Sequence, residues 1–361
     1  MANDILTFCG TDTGTNLLTQ SEYNLSTDRT SGNKPGIASA KLVNKSLRQS
    51  AAVASQMAQF VSNKTGTDIV DNGVYAQLLA QFTSALTSYP PKITTYTSGT
   101  GTHSLTYIFA IATGSATIGA TYTNNGNTFT IAETVASGVE IKATGNGDPL
   151  VAGTLTKSGG TGDTTLTFYA RRAPVALQAL VVGGGGGGAG SGSGSPTNGS
   201  AGGNSTFGTT LLVANGGGGG VANNGAGGTG GTASLGTGPI GTALNGADGQ
   251  PGCAVGPGPG GNGGVSSFGG NGWGGFGKAG TAATTNSGSG GGGAGTSAGA
   301  NPSGGGGSGA LVDAIISGGP LAAGFPYAVG GGGAGGVTGG SFGFNGGAGS
   351  AGYIRIMEIY Q

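Results

Sequence analysis

The hydrophobic pattern of the chain changes character twice. Over "NKPGIASAKLVNKSLRQSAAVASQMAQFVSNKTG", Val43, Leu47, Ala51, Ala54, Ala58 and Val61 recur at spacings of three and four. That period predicts a helix over about 37–63, opened by Pro35 and closed at Gly66. Its stripe is narrow and built of small residues, which suits a seam between helices better than a face on a large core. A second helix is predicted after Asp71 or Asn72 as N-cap, with Val74, Leu78, Phe82 and Leu86 on one face. "SYPPK" at 88–92 stops it.

From about residue 93 the period drops to two. The stretch to about 172 is rich in Thr, Ile, Val, Tyr and Phe, and "TYTNNGNTFTI" alternates around Asn125-Gly126, the pattern of a tight hairpin. "GTLTKSGGTGDTTLTFYA" adds two short strands about a glycine turn. An antiparallel sandwich or prism of some 80 residues is expected here, and so small a core favours oligomerisation.

Beyond residue 173 the pattern dissolves into glycine. Of the 170 residues from Gly183 to Gly352, 70 are glycine, with pure runs in "VVGGGGGGAG" (181–190), "LLVANGGGGG" (211–220), "SGSGGGGAG" (287–295) and "YAVGGGGAGG" (327–336). Strand patterns bracket the region: "VALQALVVG" at 175–183 and "AGYIRIMEIYQ" at the end, with Ile354, Ile356 and Ile359 apolar. A flexible linker does not fit, because the stretch carries Phe207, Ile240, Phe325 and many other large apolar groups with almost no charge to solvate them. A phosphate loop does not fit either: no helix pattern follows the glycines and no "GK[ST]" occurs. Runs of four to six glycines also break the collagen period.

One ordered structure needs this composition. A polyproline II helix has three residues per turn and no internal hydrogen bonds, so every N–H and C=O must find a partner in a neighbouring chain. Without Cβ atoms such helices can approach closely enough to bond side by side. An enclosed helix must be all glycine, whereas a peripheral one needs glycine only on its inward edges. "GGNGGVSSFGGNGWGGFGKAG" has the mixed pattern of peripheral helices, and "GPGPGG" suits proline's fixed φ. The expected fold is therefore mainly β and irregular. It combines a short helical N-terminal region (1–92), a small antiparallel β module (93–172) and a glycine-rich domain of packed polyglycine II helices bracketed by strands (173–361).

Charge narrows the function. Charged residues make up 7% of the chain and the formal net charge is zero, so nothing attracts nucleic acid or an anionic membrane surface. After Ala173 the charged residues are Asp248, Lys278, Asp313, Arg355 and Glu358. No apolar run approaches a membrane span, and the opening "MANDILTFCG" has no leader pattern, so folding in a cytoplasm is expected. Cys9 and Cys253 have no metal-type spacing and are expected to be free thiols.

This order of parts resembles the tail fibres and receptor-binding proteins of tailed bacteriophages. The glycine-rich region looks like the polyglycine II tips of phage adhesins and, more remotely, the glycine-rich extracellular domain of some receptor tyrosine kinases. The segment around 33–66 is similar to the virion-proximal part of fibre proteins. The resemblance implies a homotrimer in the virion whose N-terminus docks on tail or baseplate proteins. Its tip would bind a host-surface polysaccharide or outer-membrane protein. A structural virion protein that makes protein contacts only is the alternative, and a secreted adhesin is disfavoured by the missing leader.

No catalytic constellation is visible. Glycoside cleavage needs paired carboxylates, but those of the glycine region are widely spaced, and Asp148 and Asp163 sit in turn contexts. His103, the sole histidine, lies in "GTGTHSLT" without an HxH pattern, so a catalytic or metal role is not expected. We therefore expect no enzyme, no cofactor and no metal. A tip with so little charge must recognise its target through aromatic faces, amides, hydroxyls and backbone. The candidate contacts are Trp273, Phe268, Phe276, Phe342, Phe344 and Tyr327, with Asn-rich turns at 221–228 and 284–290 as exposed loops.

Overall fold

A computed structural model describes residues 18–26, 39–65, 68–69, 75–86, 91–132, 140–145, 153–223, 225–254, 256–297, 301–317, 321 and 324–360. The fold is mainly β, its sheets antiparallel, with few helices. Helix α1 (Gln20–Leu25) opens with a capping box: Thr19 Oγ1 accepts from Glu22 N, and Glu22 Oε2 accepts from Thr19 N. The α2 helix (Ala40–Thr65) and α3 (Tyr75–Leu86) follow the predicted pattern. Ala58 and Val61 of the expected stripe are buried with Ile69 and Ala85, and Leu78 and Phe82 pack against them. The predicted start of α3 at Asp71 or Asn72, together with Pro35, Cys9 and Asp148, lies outside the described residues.

The middle of the chain forms a closed six-stranded barrel and not an open sandwich. Its strands are β3 (Leu105–Thr113), β4 (Thr121–Asn124), β5 (Asn127–Ile131), β6 (Glu140–Gly145), β7 (Gly153–Gly159) and β8 (Thr165–Arg172), in the order β3-β6-β5-β4-β7-β8, with β8 returning to β3. Closure removes the sheet edges that so small a module would expose. The hairpin turns at Asn125 (φ 50°) and Gly126 (φ 75°), both left-handed, as the dipeptide predicts. Phe109 meets Phe129 and Phe168 edge to face at 5.6 and 4.9 Å in the barrel core.

Two five-stranded sheets sit beside the barrel. One runs β1-β16-β9-β14-β13, built from Lys92–Tyr96, Tyr353–Ile359, Ala176–Val182, Leu311–Ser317 and Ile240–Leu244. The other runs β12-β11-β10-β15-β2, built from Ala233–Leu235, Leu212–Ala214, Ser205–Phe207, Phe325–Ala328 and Thr100–His103. Residues 93–103, grouped on sequence with the middle module, thus pair with β16 and β15 from the end of the chain. Alternate residues such as Leu177, Val181, Val312 and Ile354 of the first sheet share one continuous core with Phe207 and Leu212 of the second and with the barrel interior.

Beyond the strands the glycine-rich chain is ordered but belongs to neither helix nor sheet. From residue 184, successive N–H groups address three neighbours in rotation. Gly184, Gly187 and Gly190 donate to Gly203, Ser200 and Thr197; Gly185, Gly188 and Ser191 donate to Ser350, Gly347 and Phe344; Gly186 and Ala189 donate to Gly307 and Gly304. The carbonyls repeat the scheme with three further neighbours: Gly184 and Gly187 accept from Gly217 and Gly220, Gly185 and Gly188 from Gly333 and Gly336, Gly186 and Ala189 from Gly291 and Ala294. Each partner recurs every third residue, and segment 183–191 has six neighbours.

Segments 288–296 and 302–310 are enclosed in the same way, and all three are buried along their lengths. Around this triangle run nine outer segments, in ring order 197–203, 215–221, 225–232, 245–252, 258–265, 271–275, 279–284, 344–352 and 330–339, each bonded to the next and the last to the first. Burial on the outer segments follows the same period: Gly330, Gly333, Gly336 and Gly339 are buried while the residues between them are half-buried or exposed. The chain runs away from the strands in one segment and back in the next. A Cβ on Gly186 would fall on the Gly218 carbonyl, and one on Gly185 on the Ser289 carbonyl, so side chains are excluded by the neighbouring backbones.

Candidate functional site

The end of the bundle remote from the strands is made of turns. Among the described residues they are centred on 193–196, 222–223, 253–254, 256–257, 276–278, 297 and 340–343. Buried serines anchor them. Ser191 Oγ donates to Gly295 O (2.9 Å) and accepts from Phe344 N (3.1 Å), while Ser303 Oγ donates to Gly190 O (2.5 Å) and accepts from Asn223 N (3.2 Å). Hydroxyls thus satisfy backbone groups where the regular ladder ends.

The six aromatic candidates are placed in four settings. Trp273, on outer segment 271–275, and Phe276, where that segment enters the remote turn, are 65% and 69% exposed. Phe342 (58% exposed) occupies the remote turn with φ 61°, and half-buried Phe344 next to it is pinned by Ser191. Phe268 (47% exposed) lies at the opposite end, its ring against Tyr353 of β16 at 5.5 Å. Tyr327 belongs to the second sheet, where its ring stacks on Tyr96 at 3.9 Å. Of the Asn-rich turns, the described residues of 221–228 (221–223 and 225–228) lie at the remote end and 284–290 at the strand end. Cys253 is exposed in a remote turn and is not in a disulfide.

His103 is buried where barrel and sheets meet. Its Nδ1 lies 2.9 Å from Tyr96 Oη, and its Nε2 is 3.3 Å from Glu358 Oε1, close enough to pair but not aligned as a hydrogen bond. Glu358 is fully buried, and its Oε2 accepts from Thr106 N (3.0 Å) and from Tyr360 Oη (2.5 Å). Lys92 Nζ donates to Thr106 Oγ1 at 2.6 Å. Burial pushes the Glu358 carboxyl up, but the His103 contact, the Tyr360 hydrogen bond and the nearby Lys92 charge outweigh it and hold the group below its ordinary value. Burial lifts Tyr96 to about 12, with Tyr327 and Glu358 adding to the shift. The cluster joins residues some 250 positions apart, and no local pattern marks it.

Three further carboxylates, Asp163, Asp248 and Asp313, accept from backbone, hydroxyl or amide groups. Asp163 Oδ2 accepts from Ser115 N (2.7 Å) and Oγ (3.1 Å), the turn role expected of it. Asp248 Oδ1 accepts from Gly230 N, and Asp313 Oδ1 from Gln178 Nε2. Among the described residues no group of three or more His, Cys, Asp and Glu side chains lies close enough to hold a metal ion. No protein-family model, curated protein or solved structure matches the chain.

Proposed function

We propose that this chain is a tail fibre or receptor-binding protein of a tailed bacteriophage, and that its glycine-rich domain is a bundle of polyglycine II helices serving as a rigid tip. The observation that carries this reading is the twelve-segment lattice, three enclosed and nine around them, with hydrogen bonds that repeat every three residues. That period is the one a polyproline II-type helix has. The lattice needs no charge and holds turns of free sequence at one end, where recognition can vary without disturbing the scaffold. In this reading the N-terminal helices dock on the tail or baseplate, the chain works as a homotrimer, and the tip binds a host-surface glycan or outer-membrane protein without catalysis. Apolar side chains left exposed on α2 and α3, among them Val53, Met57 and Leu79, suit a docking role.

The test is adsorption. The full-length protein should bind cells of susceptible bacterial strains and compete with phage for them. A folded protein that does neither across a strain panel would favour the reading as a structural virion component.

A further inference from the structure

The bundle's integral period has a geometric result on its outer faces: residues three apart point the same way and form straight columns. Trp273 and Phe276 are such a pair. Gly272 and Gly275, one position before each, donate inward to Gly290 and Gly293, which fixes both aromatics at the same place in the repeat. Three residues at 3.1 Å rise put them about 9 Å apart along the segment. The column beside them on segment 258–265 carries Pro259, Asn262 and Val265, and on the other side stand Thr281 and Lys278.

The backbone beneath this face is fixed. Trp273 N donates to Thr281 Oγ1 (2.7 Å), Gly274 N to Asn262 Oδ1 (2.8 Å), and Asn271 Nδ2 to Gly263 O (3.0 Å). The two rings are therefore held on a rigid floor and lose little freedom on binding. Lys278 is the single charged side chain beside them. A protein partner would call for a larger apolar core and a charged or polar rim. Two exposed rings in line, flanked by a hydroxyl and an amide on an almost uncharged face, match a neutral sugar chain: the C–H faces of successive pyranoses stack on the rings while their hydroxyls meet Thr281 and Asn262.

We infer that the flank of the bundle at Trp273 and Phe276 is a binding site for an uncharged pyranose oligosaccharide. The site lies on the flank of the bundle, where segment 271–275 enters the remote turn at 276–278. This inference rests on the receptor-binding reading and names the ligand class for it. Trp273 is the only tryptophan in the chain, so its emission reports on this site alone.

The full-length protein should be titrated with neutral hexose and N-acetylhexosamine oligosaccharides and with uronic-acid counterparts. A saturable change in emission is expected for a neutral member of the series. Because both side chains point outward, alanine variants keep the lattice, which hydrogen exchange verifies. Phe276→Ala should weaken binding about tenfold, the scale of one lost aromatic contact, while Val337→Ala and Ile240→Ala, at exposed apolar residues elsewhere on the surface, should leave it unchanged. The inference is overturned if no neutral oligosaccharide changes the emission, if Phe276→Ala binds like the parent, or if emission follows protein concentration instead, which marks the face as a contact between copies. Cell binding by a Trp273→Ala/Phe276→Ala variant separates the two readings. Undiminished binding removes the site but keeps the receptor role, whereas a parent that binds no cells removes the receptor role while the titration still decides the site.

Discussion

Replacing Gly186 by alanine tests the enclosed lattice with one methyl group. The new Cβ would fall on the carbonyl of Gly218, through which two hydrogen bonds run: Gly307 N donates to its oxygen at 2.8 Å, and its own N–H donates to Thr229 O at 2.7 Å. Moving Gly218 away puts both at risk, and the enclosed Gly307 N–H left unpaired costs about 1–3 kcal/mol, while the outer Gly218 and Thr229 groups are open to water. Forcing an extra carbon into a filled interior adds about 1–3 kcal/mol. The sum is about 2–6 kcal/mol, which for a unit of this size lowers Tm by at least about 4 °C. Gly331→Ala is the control. It lies on an outer segment with nothing within 4 Å of the added Cβ and no left-handed φ. There the loss of unfolded-state freedom should stabilise by about 0.4–1 kcal/mol. Calorimetry on the full-length variants measures both. A Gly186→Ala transition that coincides with that of Gly331→Ala would refute the enclosed-segment account.

Three further outcomes are expected. Amide exchange read by NMR or mass spectrometry should be far slower for Gly184–Gly190 than for the outward residues 331–332, because the former are buried and each of their N–H groups is hydrogen-bonded. Glu358 has a depressed folded-state pKa, so its contribution is present above its ordinary value near 4.5 and is lost as pH falls through the lower folded value. Chemical denaturation between pH 7 and 3 should show that loss in the parent and a flatter profile in Glu358→Gln, which is also less stable at pH 7 by about 1.5–3 kcal/mol. At the hairpin, Gly126→Ala meets open space but keeps φ at 75°, so the barrel should lose about 1 kcal/mol by the same denaturation assay.

Local patterns foretold local structure. The 3–4 spacing from Val43 to Val61 gives α2, Asn125-Gly126 gives the hairpin, and the runs at 183–188 and 290–293 lie in enclosed segments. Glycine density alone did not rank position, however. The run at 216–220 lies on the outside with only Gly217 and Gly220 buried, whereas "PSGGGGSGA" at 302–310, broken by two serines, is enclosed. The difference is hydrogen bonding: Ser303 and Ser308 hydroxyls reach backbone groups of neighbouring segments, so these side chains have a place inside. Barrel closure, the pairing of β1 and β2 with the last strands, and the His103–Glu358 cluster depend on contacts between distant parts of the chain. Such contacts leave no period to read. The α1 helix did have a signal, Thr19 with Glu22 three residues on, which the apolar pattern overshadowed.

The whole-number repeat of the bundle also governs how such a domain can change size. An α-helix returns to the same side only after a fractional number of residues, so long helical bundles must coil. Here the return is every third residue, and the columns run straight. A segment pair can therefore be lengthened or shortened in steps of three residues per segment without turning an inward glycine outward, whereas an insertion of one or two would drive side chains into the lattice. Turns at the free end carry no such restriction. Bundle length is thus a quantised property of this architecture, and turn length a continuous one.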